Sequence, residues 1–258
     1  AQNQIMAIKN HIFTALKGFG MGAANVVPGV SGGTIALITG IYSQIVNAIS
    51  AFATPSVWKA LFKGRFKEFW QRIDGSFLLA LGIGIVVSIL SLAKLVTWAL
   101  AEYPVLTWAF FFGLIIASAV YMLIPVKKWK AIDFLMVAAG LAIGLAFCLL
   151  TPTRTPQTWW FYFITGAVAI CTMILPGVSG SFIMQIFGNY DIVLKSLDPS
   201  AFDFSVLVPL AAGAIVGILA FAKFLKWLLS RWERQTMLGL VGFVLGTLLK
   251  VWPWAYMA

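Results

Sequence analysis

The sequence is short of charge. Asp, Glu, Lys and Arg together make up 10% of 258 residues, where a soluble domain carries roughly a quarter. Acidic residues are scarcest, 8 against 18 Lys and Arg. Histidine occurs once, at His11, and cysteine twice, at Cys148 and Cys171, with no CxxC spacing. These shortages argue against a His/Cys metal centre and against a disulfide framework. Both cysteines lie in apolar runs and read as small packing residues, while His11 reads as a surface residue of the N-terminal approach. Glutamate is confined to Glu68, Glu102 and Glu233, all near the ends of apolar runs or in loops. Residues 1–17 read as a short polar-to-apolar entry where no signal peptide is expected, and no segment is low-complexity.

What is abundant is hydrocarbon. Apolar residues make up 61% of the chain, and several runs reach the ~20 residues that a helix needs to span a bilayer. The class expected is an all-α polytopic membrane protein. In a soluble protein a net charge of +10 would point to nucleic acid. Here it fits the surplus of Lys and Arg in cytoplasmic loops, so no nucleic-acid partner is expected.

Along the chain, 18–49 is apolar but broken at Pro28-Gly29 and Gly32-Gly33. Residues 56–73 place Trp58, Leu61, Phe62, Phe66, Phe69, Trp70 and Ile73 at helical spacing. Lys59, Lys63, Arg65, Lys67 and Arg72 fill the other face. That pattern predicts an amphipathic helix lying in the membrane interface. Spans are expected at 77–101, 105–125 and 132–152, then at 205–230 and 236–252. Between them, 159–197 is again apolar and broken, at Pro176-Gly177.

The two broken segments are copies. Sliding 28–42 onto 176–190 aligns PGVSGGTIALITGIY with PGVSGSFIMQIFGNY, nine identities in fifteen positions at an offset of 148. In the following spans the offset falls to 129: GIVVSILSLAKLVTW at 84–98 meets GAIVGILAFAKFLKW at 213–227. The shortfall is about the length of the basic interfacial segment, which the second half lacks. Each half is then a re-entrant hairpin plus two spans, 11–125 and 159–252, in a single membrane domain. The span 132–152 has no partner and connects them. If each hairpin returns to its own side, one connecting span inverts the second half. The expected architecture is an inverted-topology repeat, as in secondary transporters.

Charge placement agrees. With the N-terminus inside, the inner segments hold Lys9, Lys17, the five basic residues of 59–72, Lys127, Lys128, Lys130, Arg231 and Arg234. The outer segments hold Glu102, Arg154, Asp191, Lys195, Asp198, Asp203 and Lys250. The positive-inside rule then predicts a cytoplasmic N-terminus and an external C-terminus.

Proline interrupts helical hydrogen bonding, and broken backbone at membrane depth is tolerated only when buried in protein or lining a wet cavity. Ser31 and Ser179 are good N-cap residues for half-helices that start there. Such starts turn N–H groups and a positive dipole end toward the protein interior, an anion site in outline. Gly32, Gly33, Gly180 and Ser181 are small enough to leave those amides open, and Ser31, Thr34, Ser179 and Ser181 add hydroxyls. The plainer alternative is that Gly and Ser only let helices pack closely. Lys94 and Lys223 are matched between the halves inside apolar sequence; they either serve the path of an anionic head or snorkel to the interface. Asn25 is a further polar candidate beside the first break.

The two PGVSGG/PGVSGS hairpins, the G-x-Y after each, and the opening GxxMGxANVVPGVSGGT resemble the bacterial polyprenyl-phosphate transporter family over nearly the whole chain. The resemblance implies a lipid flippase that returns undecaprenyl phosphate from the outer to the inner leaflet of the cytoplasmic membrane. It carries a binding role to Pro28, Gly29, Val30, Ser31, Gly32, Gly33 and Thr34, and to Pro176, Gly177, Val178, Ser179, Gly180 and Ser181. Asn25, Lys94, Lys223 and, as an outer-face collector of phosphate, Arg154 are added on physical grounds alone. No cofactor and no metal are expected; a proton or sodium gradient is a candidate driving force. Two rivals remain: a small-anion or ion-coupled secondary transporter, and a membrane polyprenyl-diphosphate phosphatase. The phosphatase needs an acid/base and a group to hold developing charge, yet neither break carries Arg, His or Glu.

Overall fold

The computed structural model describes residues 2–26, 30–152, 155–198 and 202–256, with side chains from Lys9 to Trp254. Every regular element among them is helical: α1 (Gln2–Val26), α2 (Gly32–Ile38), α3 (Tyr42–Ala51), α4 (Pro55–Phe62), α5 (Phe66–Arg72), α6 (Gly75–Glu102), α7 (Pro104–Leu123), α8 (Ala131–Cys148), α9 (Trp159–Ile174), α10 (Gly180–Ile186), α11 (Tyr190–Ser196) and α12 (Phe204–Gly246). Two 3-10 turns, Thr247–Val251 and Pro253–Tyr256, close the described chain. Four segments are long and apolar enough to cross a membrane: α6, α7, α8, and α12 with its following turn. A fifth is added if α2 and α3, bent by 117° at Thr39–Ile41, count as one span. The chain is a polytopic helical membrane protein by these criteria. Large apolar side chains such as Leu79, Ile83, Leu90, Phe134 and Ile215 stand exposed on these helices. A lipid-facing belt wants that surface, and water does not.

One boundary differs from the sequence expectation. Residues 56–73 form two short helices instead of one, because Gly64 takes φ +71°. The Arg65 N–H then bonds the Ala60 carbonyl, and the Gly64 N–H bonds that of Leu61. This glycine-dependent cap ends α4 whatever the amphipathic spacing beyond it. The spans expected at 205–230 and 236–252 lie in α12, which is two helices meeting at a kink at Trp232 (φ −139°, ψ 54°), between the two.

Glycine sets how closely the long helices approach. A Cβ on Gly84 of α6 would be driven into the Ala15 carbonyl of α1, and one on Gly18 into the Leu81 carbonyl. In the second half a Cβ on Gly213 of α12 would meet the Phe163 carbonyl of α9, and one on Gly166 the Leu210 carbonyl. Residue for residue these are the same contacts, displaced by 148 in α1/α9 and by 129 in α6/α12. The connector α8 packs on the last third of α12 in the same manner: a Cβ on Gly140 would strike the Gly239 carbonyl and one on Gly242 the Val137 carbonyl. Asp133, at the start of α8, is fully buried. Arg234 grips it from α12, Nη2 to Oδ2 at 2.7 Å and Nε to Oδ1 at 3.2 Å, and also donates to the carbonyls of Lys127 and Lys128. The largest core cluster lies between the halves and takes in Tyr42, Val46, Trp108, Phe111, Ile115, Leu225, Leu240 and Val251.

Candidate functional site

Each copy of the motif builds the same local object. α2 and α10 are seven-residue helices that begin just after an N-cap serine, Ser31 or Ser179, in extended conformation. The cap hydroxyl accepts from the Gly33 N–H at 3.1 Å in one copy and from the Phe182 N–H at 3.4 Å in the other. Both helices end on a glycine in the left-handed region, Gly40 at φ +71° and Gly188 at φ +66°. The closing bonds are also shared: the Ile41 N–H reaches the Ala36 carbonyl, and the Asn189 N–H reaches that of Met184, at the same spacing. The G-x-Y that follows each motif is therefore a helix stop, a turn, and the first residue of the next helix.

The two copies meet. Ser31 Oγ donates to the Leu175 carbonyl at 3.3 Å, across 144 residues of sequence. A Cβ on Gly33 would press on the Ile174 carbonyl and Pro176 Cα. Beside this seam lies a cavity of about 670 Å³, lined by Asn25, Val30, Ser31, Gly32 and Gly33 from the first copy and by Val178, Ser179, Gly180 and Ser181 from the second. Met21, Ile85, Ile89, Met173, Met184, Tyr190, Val193, Leu194 and Leu197 complete the wall. Ile89, Met173, Leu194 and Leu197 are exposed, and so are Asn25 and Ser181. The wall thus sets hydroxyls and backbone amides beside exposed apolar side chains. No Lys, Arg, His, Asp or Glu lies in its wall among the described residues.

The copies are not equivalent as anion holders. In the first, the Gly32 N–H donates to Asn25 Oδ1 at 2.7 Å, the Gly33 N–H to the Ser31 hydroxyl, and the Thr34 N–H to the Ser31 carbonyl at 3.0 Å. Its amides are already occupied. In the second, the residue that packs on Gly180 is Met173, where the first has Asn25 on Gly32. The N–H groups of Gly180 and Ser181 have no protein partner among the described residues, and the Ser179 and Ser181 hydroxyls lie 3.1 Å apart. The expectation of open amides therefore describes the second copy and not the first, because Asn25 closes the first.

Of the other expected residues, Pro176 and Gly177 are buried behind the second copy, Gly177 at φ +89°. Thr34 is buried with its hydroxyl unpaired and does not line the cavity. Pro28, Gly29 and Arg154 lie outside the described residues. Lys94 and Lys223 are exposed and stand away from the cavity wall. Helix phase accounts for Lys94: it follows the wall residue Ile89 by five positions, roughly 140° around the helix. Sequence reasoning missed the apolar part of the wall and Met173, since nothing local in an apolar run marks which side faces inward.

Residues 21–258 match the family described as VCA0040-like, undecaprenyl phosphate translocase-like. The chain belongs to that family. It is 42% identical over 245 residues to the polyprenyl-phosphate transporter of Vibrio cholerae serotype O1, covering 95% of this chain and 79% of the relative. It is 32% identical over 255 residues to the polyprenyl-phosphate transporter of Staphylococcus aureus strain NCTC 8325, covering 92% of this chain and 85% of the relative. No solved structure matches the chain.

Proposed function

We propose that this protein carries undecaprenyl phosphate, or a polyprenyl phosphate of the same chemistry, across the cytoplasmic membrane from the outer to the inner leaflet. The observation that carries the reading is the shape and chemistry of one cavity. Two serine-capped breaks line it together with the exposed apolar side chains of Ile89, Met173, Leu194 and Leu197. A phosphate head pays heavily to enter hydrocarbon, whereas an isoprenoid tail loses nothing by staying there. A cavity that sets hydroxyls and amides beside exposed apolar side chains can hold the head and leave the tail in lipid. A small-anion carrier has no use for exposed apolar lining, and a wall without acid, base or cation is poorly equipped to hydrolyse a diphosphate.

Within that reading the second copy is the main holder, through the Gly180 and Ser181 N–H groups and the Ser179 and Ser181 hydroxyls. The first copy closes the opposite wall with Ser31 and Asn25. The two halves act as an inverted-topology repeat with the N-terminus cytoplasmic and the C-terminus external; their repeated glycine contacts and the placement of basic residues support this. Rocking of one half against the other passes the head inward, toward the basic segment of α4 and α5.

The test is reconstitution. In liposomes carrying a labelled short-chain polyprenyl phosphate in one leaflet, the protein should speed its appearance in the other, while entry of inorganic phosphate stays at the protein-free rate. Phosphate entry without lipid movement would replace this reading with the small-anion carrier. Release of phosphate from a polyprenyl diphosphate would replace it with the hydrolase.

A further inference from the structure

Lys250 is a cation without a visible counter-charge, set behind the second motif. It lies in the 3-10 turn after α12 and is half-buried. Its Nζ sits over the face of the Phe182 ring. No carboxylate pairs with it among the described residues: the ion pairs there are Arg65–Glu68, Arg72–Glu68 and Arg234–Asp133. With Thr247, Phe147 and Cys148 it lines a small cleft whose other wall is Gly177, Val178, Ser179 and Phe182. Val178 and Ser179 also line the large cavity. The cleft and the cavity therefore share Val178 and Ser179 as a common wall.

An unpaired cation beside apolar protein is costly and calls for an anion. An aromatic face holds it in the meantime, more weakly than a phosphate does. The identity of Phe182 is informative here. Its counterpart at the same position in the first copy is Thr34, which is buried and meets no cation. The second copy thus differs from the first at the residue that parks a lysine, and it is also the copy with free amides.

We propose that Lys250 is a phosphate-binding residue of this cavity. Its ammonium leaves the Phe182 ring, passes Ser179 on its flexible stem, and pairs with the phosphomonoester held at Ser179–Ser181. This rests on the reading of the cavity as a site for a polyprenyl phosphate head. It gives that site the charge its wall lacks and makes recognition of the dianion, rather than of a polyprenol, depend on one side chain.

The test measures binding of a polyprenyl phosphate and of the matching polyprenol to purified full-length protein in nanodiscs. Wild type should prefer the phosphate. Lys250→Gln should lose that preference by roughly tenfold or more, the scale of a charge-assisted bond. Lys250→Arg should keep most of it, and polyprenol binding should be unchanged in both. If Lys250→Gln does not purify, Lys250→Met, of similar reach and suited to an apolar setting, reads the same quantity. A neutral variant with the wild-type preference would overturn the role of Lys250 and leave the cavity reading standing. A wild type that binds both lipids alike would overturn the cavity reading itself. Added inorganic phosphate should not compete; competition that disappears in Lys250→Gln would keep Lys250 as an anion ligand and overturn the lipid as its source.

Discussion

Ser31 Oγ donates to the main-chain carbonyl of Leu175 at 3.3 Å, so one copy of the repeated motif is stitched to the backbone that leads into the other. The same oxygen accepts from the Gly33 N–H. Ser31 is 3% exposed, and with two partners its hydroxyl has little left for a ligand. Ser179 and Ser181 bond mainly each other and keep capacity to spare.

That difference separates two alanine substitutions. Ser31→Ala removes an N-cap and the cross-copy bond, and should lower stability by about 1–2 kcal/mol. The loss is read as a fall in melting temperature, with lipid transport per folded molecule kept within about threefold. The double variant Ser179→Ala/Ser181→Ala removes only the longer cap, 3.4 Å to the Phe182 N–H, with no cross-copy bond; it should lose less stability, about 0.5–1 kcal/mol, but roughly tenfold or more of its polyprenyl phosphate transport. The reverse pattern would move the head to the first copy.

Close helix approach makes a second prediction. Gly84→Ala and Gly213→Ala each force a methyl into a neighbouring carbonyl, so α1/α6 and α9/α12 must part; each should cost about 1–3 kcal/mol. Gly82 and Gly113 face open space, and their alanine variants should be neutral or slightly stabilising through helix propensity. Thermal unfolding in detergent reads all four, and equal losses would mean that the approach distances play no part.

The buried Asp133 carboxylate and Arg234 hold α8 to α12 through a two-point contact. Asp133→Asn should lower the melting temperature. Arg234→Lys should fall between it and wild type, because an ammonium cannot reproduce the fork. An Arg234→Lys variant as stable as wild type would show that charge alone suffices.

These cases mark what can be read from sequence. Ser31 and Ser179 as caps were legible because a cap depends on the few residues around it, whereas Gly40 and Gly188 were noted only as part of G-x-Y and their role as helix stops came with the backbone. The membrane class was legible because length and apolarity decide it. The single helix expected over 56–73 failed at Gly64, where one residue's backbone freedom outweighs the spacing of seven apolar side chains. Lys94 and Lys223 drew attention as matched charges, but both are exposed and neither lines the cavity. Lys250 and the Asp133–Arg234 pair were invisible, since each depends on partners 68 to 101 residues away, brought close only by packing.

The sharpest test of the unequal copies exchanges the one residue that makes them so. Asn25 accepts the Gly32 N–H at 2.7 Å, and Met173 occupies the matching place against Gly180. Met173→Asn should supply an acceptor for the free Gly180 amide. It should leave stability unchanged or slightly raised, because a donor with no protein partner gains one. Transport should nonetheless fall several-fold, since the new carboxamide oxygen competes with phosphate for that amide. Asn25→Met should act in the opposite sense: it strips the Gly32 N–H of its acceptor at a cost of about 1–3 kcal/mol, with transport per folded molecule largely retained. Paired measurements of melting temperature and lipid flipping on the two variants decide the matter. Transport that tracks stability in both would mean that the Gly180 amide holds no ligand, and that the second copy is a packing device like the first.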